Sequence, residues 1–206
     1  MTTMLDTKPA TDLISQMRTA TLPAHEKLDN LIMTAEPFAN RENYTRLLTM
    51  QYCLQRDFEP LYHDETLKTH LSDLESRSRF ALVKQDMADL NLALLWDEKR
   101  LALPFPDLAA NIGWLFVLEG SRLGAASLFR RATALGLSES FGARHLAGPA
   151  GGPAEKWRVF SQTIAILPFT GEERDRAAAG AIAAFEHATR LAQKYLHLAK
   201  KEPERA

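Results

Sequence analysis

This 206-residue chain predicts an all-α fold in a single domain, and three observations carry that reading. Apolar residues recur at spacings of three and four along most of the chain, the period of an amphipathic helix, while strand-like alternation is nearly absent. Capping residues and a proline-containing break punctuate that pattern. No internal repeat or low-complexity linker divides the chain, and its length supports one substantial core.

Leu13, Met17, Ala20, Ala24, Leu28 and Leu31 define a first helix near 11–31. Asn40 is placed to cap a second, over about 41–62, through Tyr44, Leu47, Leu48, Tyr52 and Phe58. Shorter helical patterns cover about 64–75 and 76–93, and LALPFPD at 101–107 interrupts the pattern before a long segment, 107–135. SESFGARHLAGPAGGP, 138–153, is the main irregular stretch, and loops of that length are uncommon unless functional or mobile. A helix near 153–166 follows. Thr170 and Glu173 then read as a capping box opening a last helix to about 198. Residues 1–10 and 199–206 read as flexible tails.

Composition excludes several classes. The formal net charge of -1 argues against nucleic acid or an acidic membrane surface as partner. Apolar runs fall well short of the roughly 20 residues that a bilayer span needs. The N-terminus lacks the basic start and apolar run of a secretory signal. Cys53 is alone and fits a reducing compartment, so the cytoplasm is the expected location. A monomer is expected, though nothing in the composition dictates it. G-x-S-x-G, the phosphate-binding G-x-x-x-x-G-K-[ST] and helical zinc-protease spacing are all missing. So is the Glu-x-x-His pair of carboxylate-bridged di-iron bundles.

Two features carry chemistry. On the first helix, Ile14, Arg18, Thr21, His25, Leu28 and Ile32 align, which puts His25 at the edge of the apolar stripe. Asp29, one turn on, is within reach of the imidazole and would fix its tautomer, leaving the other ring nitrogen free for a metal. Pro23 removes a helical N–H just before the histidine, a place for a bend. A half-buried structural histidine is the competing reading. One imidazole is too few for zinc but enough for haem iron, whose equatorial positions the porphyrin fills.

The second feature is VLEGSRLGAAS, residues 117–127. Gly113, Gly120 and Gly124 share a helix face, although each glycine costs a helix about 1 kcal/mol relative to alanine. Either another helix packs closely there, or bare backbone lies over a flat ligand.

RTATLPAHEKLDNLIM, EPFANRENY, GWLFVLEGSRLGAASLFR and FGARHLA, followed by Trp157, make the chain resemble bacterial haem oxygenases, particularly the iron-acquisition branch of Gram-negative pathogens. The resemblance runs from about residue 13 to 190. It implies haem sandwiched between a proximal helix and a glycine-kinked distal helix. It further implies O2- and electron-dependent cleavage of haem b, both cofactor and substrate, to biliverdin, CO and Fe2+.

Residue by residue, the resemblance makes His25 the proximal iron ligand, with Asp29 behind it, and puts Gly120 and Gly124 over the oxygen-binding face beside Ser121. Arg18, Arg79 and Arg130 become candidates for the propionates. Phe116 stands where some relatives have a propionate-binding tyrosine. His145 would join a distal polar network through water, and Phe185 would line the haem edge. His63, His70, His187 and His197 read as surface or structural, and Cys53 as buried. No flavin or nicotinamide fingerprint is present, so electrons would come from a ferredoxin or an NAD(P)H-dependent reductase. A haem-delivery protein is a further implied partner. A haem carrier or sensor that does not turn over is the alternative.

Overall fold

The computed structural model describes residues 12–95, 107–148 and 152–196. The tails, most of 101–107, residues 149–151 and His197 lie outside these. Helices account for the regular structure: α1 (Leu13–Thr34), α2 (Arg41–Tyr62), α3 (Glu65–His70), α4 (Phe80–Asp89), α5 (Leu108–Ser121), α6 (Ala125–Thr133), α7 (Gly152–Ala165) and α8 (Gly171–Tyr195). Short 3-10 turns occupy Glu75–Arg77, Arg122–Gly124 and Arg144–Leu146. Among the described residues, strand pairing is limited to isolated bridges at Ser138. The chain is all-α.

Side-chain caps set most helix starts. Asp12 accepts from the Ser15 N–H, Asn40 from Asn43 and Asp107 from Ala109 and Ala110. The capping box of Thr170 and Glu173 forms in both directions. Two helices stop early where a residue takes the left-handed conformation. Asn91, at φ 55, ends α4 with bonds from Asn91 and Leu92 N–H back to Ala88 and Met87. Gly136, at φ 75, ends α6 in the same way, with Gly136 and Leu137 bonding back to Thr133 and Ala132. The 64–75 pattern divides into α3 and a 3-10 turn.

The long segment expected at 107–135 is broken into α5, the 3-10 turn Arg122–Gly124 and α6. The break falls at the glycines. Ser121 Oγ donates to the Leu118 carbonyl at 2.7 Å, a local bond that competes with regular helix.

Packing centres on α8, whose alanine-rich face lets α5 lie directly against it. A Cβ on Gly113 would sit 2.0 Å from the Ala177 carbonyl oxygen, and one on Gly180 would sit 2.4 Å from that of Ala110. These two glycines are helix-packing devices. One core cluster, including Met17, Phe58, Tyr62, Ile112, Leu115 and Phe160, joins α1, α2, α5 and α7 around α8. A second, including Tyr44, Leu48, Tyr52, Val83, Met87 and Ala192, joins α2 and α4 to α8.

The irregular stretch is held from below. Asp86, fully buried on α4, accepts from the backbone N–H of Arg144 and His145 and from both side chains. Tyr44 donates its hydroxyl to the Gly142 carbonyl at 2.7 Å. Burial opposes charge on Asp86, but the His145 and Arg144 donors outweigh it and hold its pKa below the usual carboxylate range. Burial pushes the His145 pKa down, against the pull of Asp86.

Replacing Gly113 or Gly180 by alanine should cost about 3 kcal/mol or more in chemical denaturation, since neither backbone can yield. Asp86→Asn should cost about 3 kcal/mol at neutral pH. Both pKa values are depressed by folding, so both groups contribute stability that is lost towards acid. The His145 contribution declines below roughly pH 6.5, and the Asp86 contribution below roughly pH 4. Melting curves between pH 7 and 3 should show the lower limb vanish in Asp86→Asn.

Candidate functional site

His25 lies on the outer half of α1. Its side chain keeps 55% of its exposure, and its ring meets the buried Phe185 of α8 edge-on, with centroids 5.5 Å apart. Asp29 does not fix its tautomer directly. Nδ1 to Oδ2 is 3.9 Å, outside hydrogen-bonding range, because both side chains stand on the solvent side of the helix. Among the described residues, neither ring nitrogen has a hydrogen-bond partner. Leu22 and Met33, on the same helix, expose large apolar side chains.

The α5–α6 break presents a different kind of glycine from the packing pair. Nothing lies within 4 Å of a Cβ built on Gly124, and the residue is exposed. At Gly120 a Cβ would meet only the Trp157 ring of α7, at 3.4 Å, an ordinary contact. The three glycines that look alike in sequence thus divide: Gly113 is required by packing, whereas Gly120 and Gly124 are not. Leu123 exposes its side chain beside them. Ser121, also exposed, has its hydroxyl proton committed to its own helix. Beyond the break, α6 reaches α1, with Arg131 Nη1 3.6 Å from the Met33 sulfur.

Of the expected propionate partners, Arg18 and Arg130 are exposed and carry no hydrogen bond or ion pair among the described residues. Arg79 is elsewhere: its Nη1 donates to the carbonyls of His145 and Ala147, strapping the 3-10 turn to the start of α4. Phe116 is buried against Trp157, centroids 5.4 Å apart, as part of the core. His187 is buried and bonds Asp57 at 3.0 Å, a structural role, while His63 and His70 are exposed.

His145 forms part of a buried polar chain in the 3-10 turn that packs against α4 and α6. Nδ1 is 2.7 Å from Asp86 Oδ2, and Nε2 is 2.8 Å from the Gln51 carboxamide. A neutral imidazole donating from Nδ1 to Asp86 leaves Nε2 as acceptor. Gln51 then turns its amide nitrogen towards the ring, an orientation of the same shape. One helical turn on, Gln55 Oε1 is buried without a partner among the described residues. Gln51 and Gln55 were legible only as two polar residues four apart on the apolar side of α2.

A second buried network fixes the end of α5. Glu119, 1% exposed at its side chain, pairs with Arg77 at 2.9 Å and Arg122 at 3.0 Å, and accepts from the Tyr62 hydroxyl at 3.2 Å. Burial opposes the Arg77 charge, but the Asp73 and Glu119 carboxylates outweigh it and raise its pKa. The sequence signal was an acid inside the apolar run WLFVLEG, directly before Gly120.

Comparison with known proteins places the chain in one family. The Heme oxygenase family model matches residues 11–194. "Heme oxygenase PigA" of Pseudomonas aeruginosa is 44% identical over 161 residues, covering 78% of this chain and 81% of that protein. A solved NO- and CO-bound heme oxygenase from Neisseria meningitidis superposes with a TM-score of 0.84 at 32% identity, over 96% of this chain and 99% of that one. Heme oxygenase-1 from the cyanobacterium Synechocystis sp. PCC6803, solved in complex with heme, shares the fold at 17% identity, with a TM-score of 0.70 over 89% and 92% of the two chains. The chain belongs to the haem oxygenase family.

Proposed function

We propose that His25 is the proximal iron ligand and that the α5–α6 break at Gly120–Gly124 covers the opposite, oxygen-side face of haem in this haem oxygenase. The observation that carries the assignment is the contrast among the glycines. No packing constraint demands glycine at Gly124, where the backbone faces open space, while a half-exposed imidazole without a hydrogen bond stands on α1. Haem b fits such a site, since it needs one axial nitrogen, bare backbone against a flat ring, and cations for two carboxylates. When bound, haem supplies the iron that takes O2 and electrons, and is itself the substrate cleaved to biliverdin, CO and Fe2+.

The chain's own residues bind and orient. Phe185 supports the His25 ring from α8, and Asp29, too far for a direct bond, favours a donor at Nδ1 through the electrostatic field alone. Arg18 and Arg130, free of intramolecular partners among the described residues, hold the propionates. Bare backbone at Gly124, with Ser121 lone pairs beside it, offers no acidic side chain to the oxygen face. His145, kept neutral by burial, keeps its proton at Nδ1 towards Asp86 and presents Nε2 as a proton acceptor beside Gln51. Electrons come from a separate redox protein, a ferredoxin or an NAD(P)H-dependent reductase. Release of iron from acquired haem, supplied by a delivery protein to a cytoplasmic monomer, is the setting we infer. No described helix is long and apolar enough to cross a membrane.

Haemin titration followed by reduction under air, with catalase present, tests the reading. A Soret band that decays into biliverdin absorbance is expected, and a stable complex under a competent reductase would mean a carrier. His25→Ala should lower turnover by about 100-fold or more and alter the ferric spectrum; unchanged rates would remove the ligand assignment. Gly124→Leu should fold normally, because its site is open, yet lose at least about tenfold in turnover or haem affinity. Wild-type behaviour would show that no ligand approaches there.

A further inference from the structure

Behind the α5–α6 break, on the side of α7, lies a cavity of about 270 Å3. Its wall combines Arg77, Arg79, Arg122, Arg144 and Lys156 with one carboxylate, Glu139. Four of the five cations already have carboxylate partners outside the wall. Arg77 pairs with Asp73 and Glu119, Arg122 with Glu119, Arg144 with Asp86 and Asp89, and Lys156 with Asp73. Arg79 is the exception. It bonds only carbonyls, through Nη1, and its Nε and Nη2 carry no hydrogen bond among the described residues.

A second unpaired donor belongs to another residue of the wall. Arg77 has a side chain 1% exposed, and its Nη2 is buried with no hydrogen-bond partner among the described residues. A buried guanidinium N–H left unsatisfied is costly, and such groups in native proteins generally have a partner, bound water or an ion. Burial and the neighbouring Arg122 push the Arg79 pKa down to about 10, and the Glu119 carboxylate offsets them only in part.

We propose that this cavity is a binding site for a small phosphate-like oxyanion, held by Arg79 and Lys156 at its rim, with the buried Arg77 charge behind them. Guanidinium donors suit tetrahedral and planar oxyanions, and the volume, small for a ligand pocket, admits inorganic phosphate or a compact phosphate monoester but not a nucleotide-sized ligand. None of the lining residues belongs to α1, and the proposal does not depend on the haem assignment. Through Arg122 and Glu119 its occupant would touch the network that fixes the end of α5.

Calorimetric titration of the full chain with inorganic phosphate, at ionic strength held constant with chloride, tests this. Saturable binding with a Kd of about 1 mM or tighter is expected, with succinate weaker than phosphate. Arg79→Gln should weaken it by about tenfold, the loss of one charge-assisted contact. Because Arg79 also straps the loop, Lys156→Gln serves as a second variant expected to weaken binding without unfolding. Arg158→Gln, an exposed cation on α7 outside the cavity, should leave binding unchanged. Absence of saturable binding overturns the proposal. So does succinate binding as tightly as phosphate, or equal affinity in wild type and both cavity variants.

Discussion

The contact between α5 and α8 is the constraint on which the rest depends. Two helices normally keep their axes 8–10 Å apart because side chains stand between them. Here Gly113 and Gly180 remove those side chains at the crossing, so backbone meets backbone through Ala110, Ala177 and Ala181. Close approach fixes the position of α5 along α8. The same α8 carries Phe185, on which His25 of α1 rests. α1 and α5 therefore share one rigid support.

Buried charge completes the placement. Glu119 lies at the last turn of α5 with Arg77, Arg122 and Tyr62 gathered around it. Buried ion pairs add little net stability, but removing one partner leaves an uncompensated charge at a cost of several kcal/mol. Such a network acts as a geometric lock. It holds the helix end just where regular α-structure stops and the bare backbone begins. Asp86 does the same for the irregular stretch, with four donors converging on one carboxylate. A loop rich in glycine thereby becomes a fixed platform for His145.

The parts of the fold legible in sequence were those decided locally. Caps at Asn40 and Thr170 and the apolar period of α1, α2 and α8 depend on residues within a turn or two, and the structure follows them. The ends of α4 and α6 differed because Asn91 and Gly136 adopt left-handed backbone, a choice that periodicity does not register. His25 and the glycine pair were legible as candidates because a lone edge histidine and a costly G-x-x-x-G both break helix convention.

Their neighbours were not legible, since long-range partners decide them. Nothing local shows that Arg79 straps a loop through Nη1 to the carbonyls of His145 and Ala147, 66 and 68 residues away. Asp29 has the right spacing but stands 3.9 Å from the imidazole, because exposed side chains splay towards water. Asp86, Gln51 and Glu119 gave only the faint signal of polarity on an apolar face. Local sequence was enough for an all-α chain, its main helices, the candidate histidine and the glycine-bearing segment, expected as one long helix. Only the tertiary structure decided which glycine serves packing and which is open. Gly113 and Gly124 are chemically identical, and the difference lies in what stands 2.0 Å from one and beyond 4 Å from the other.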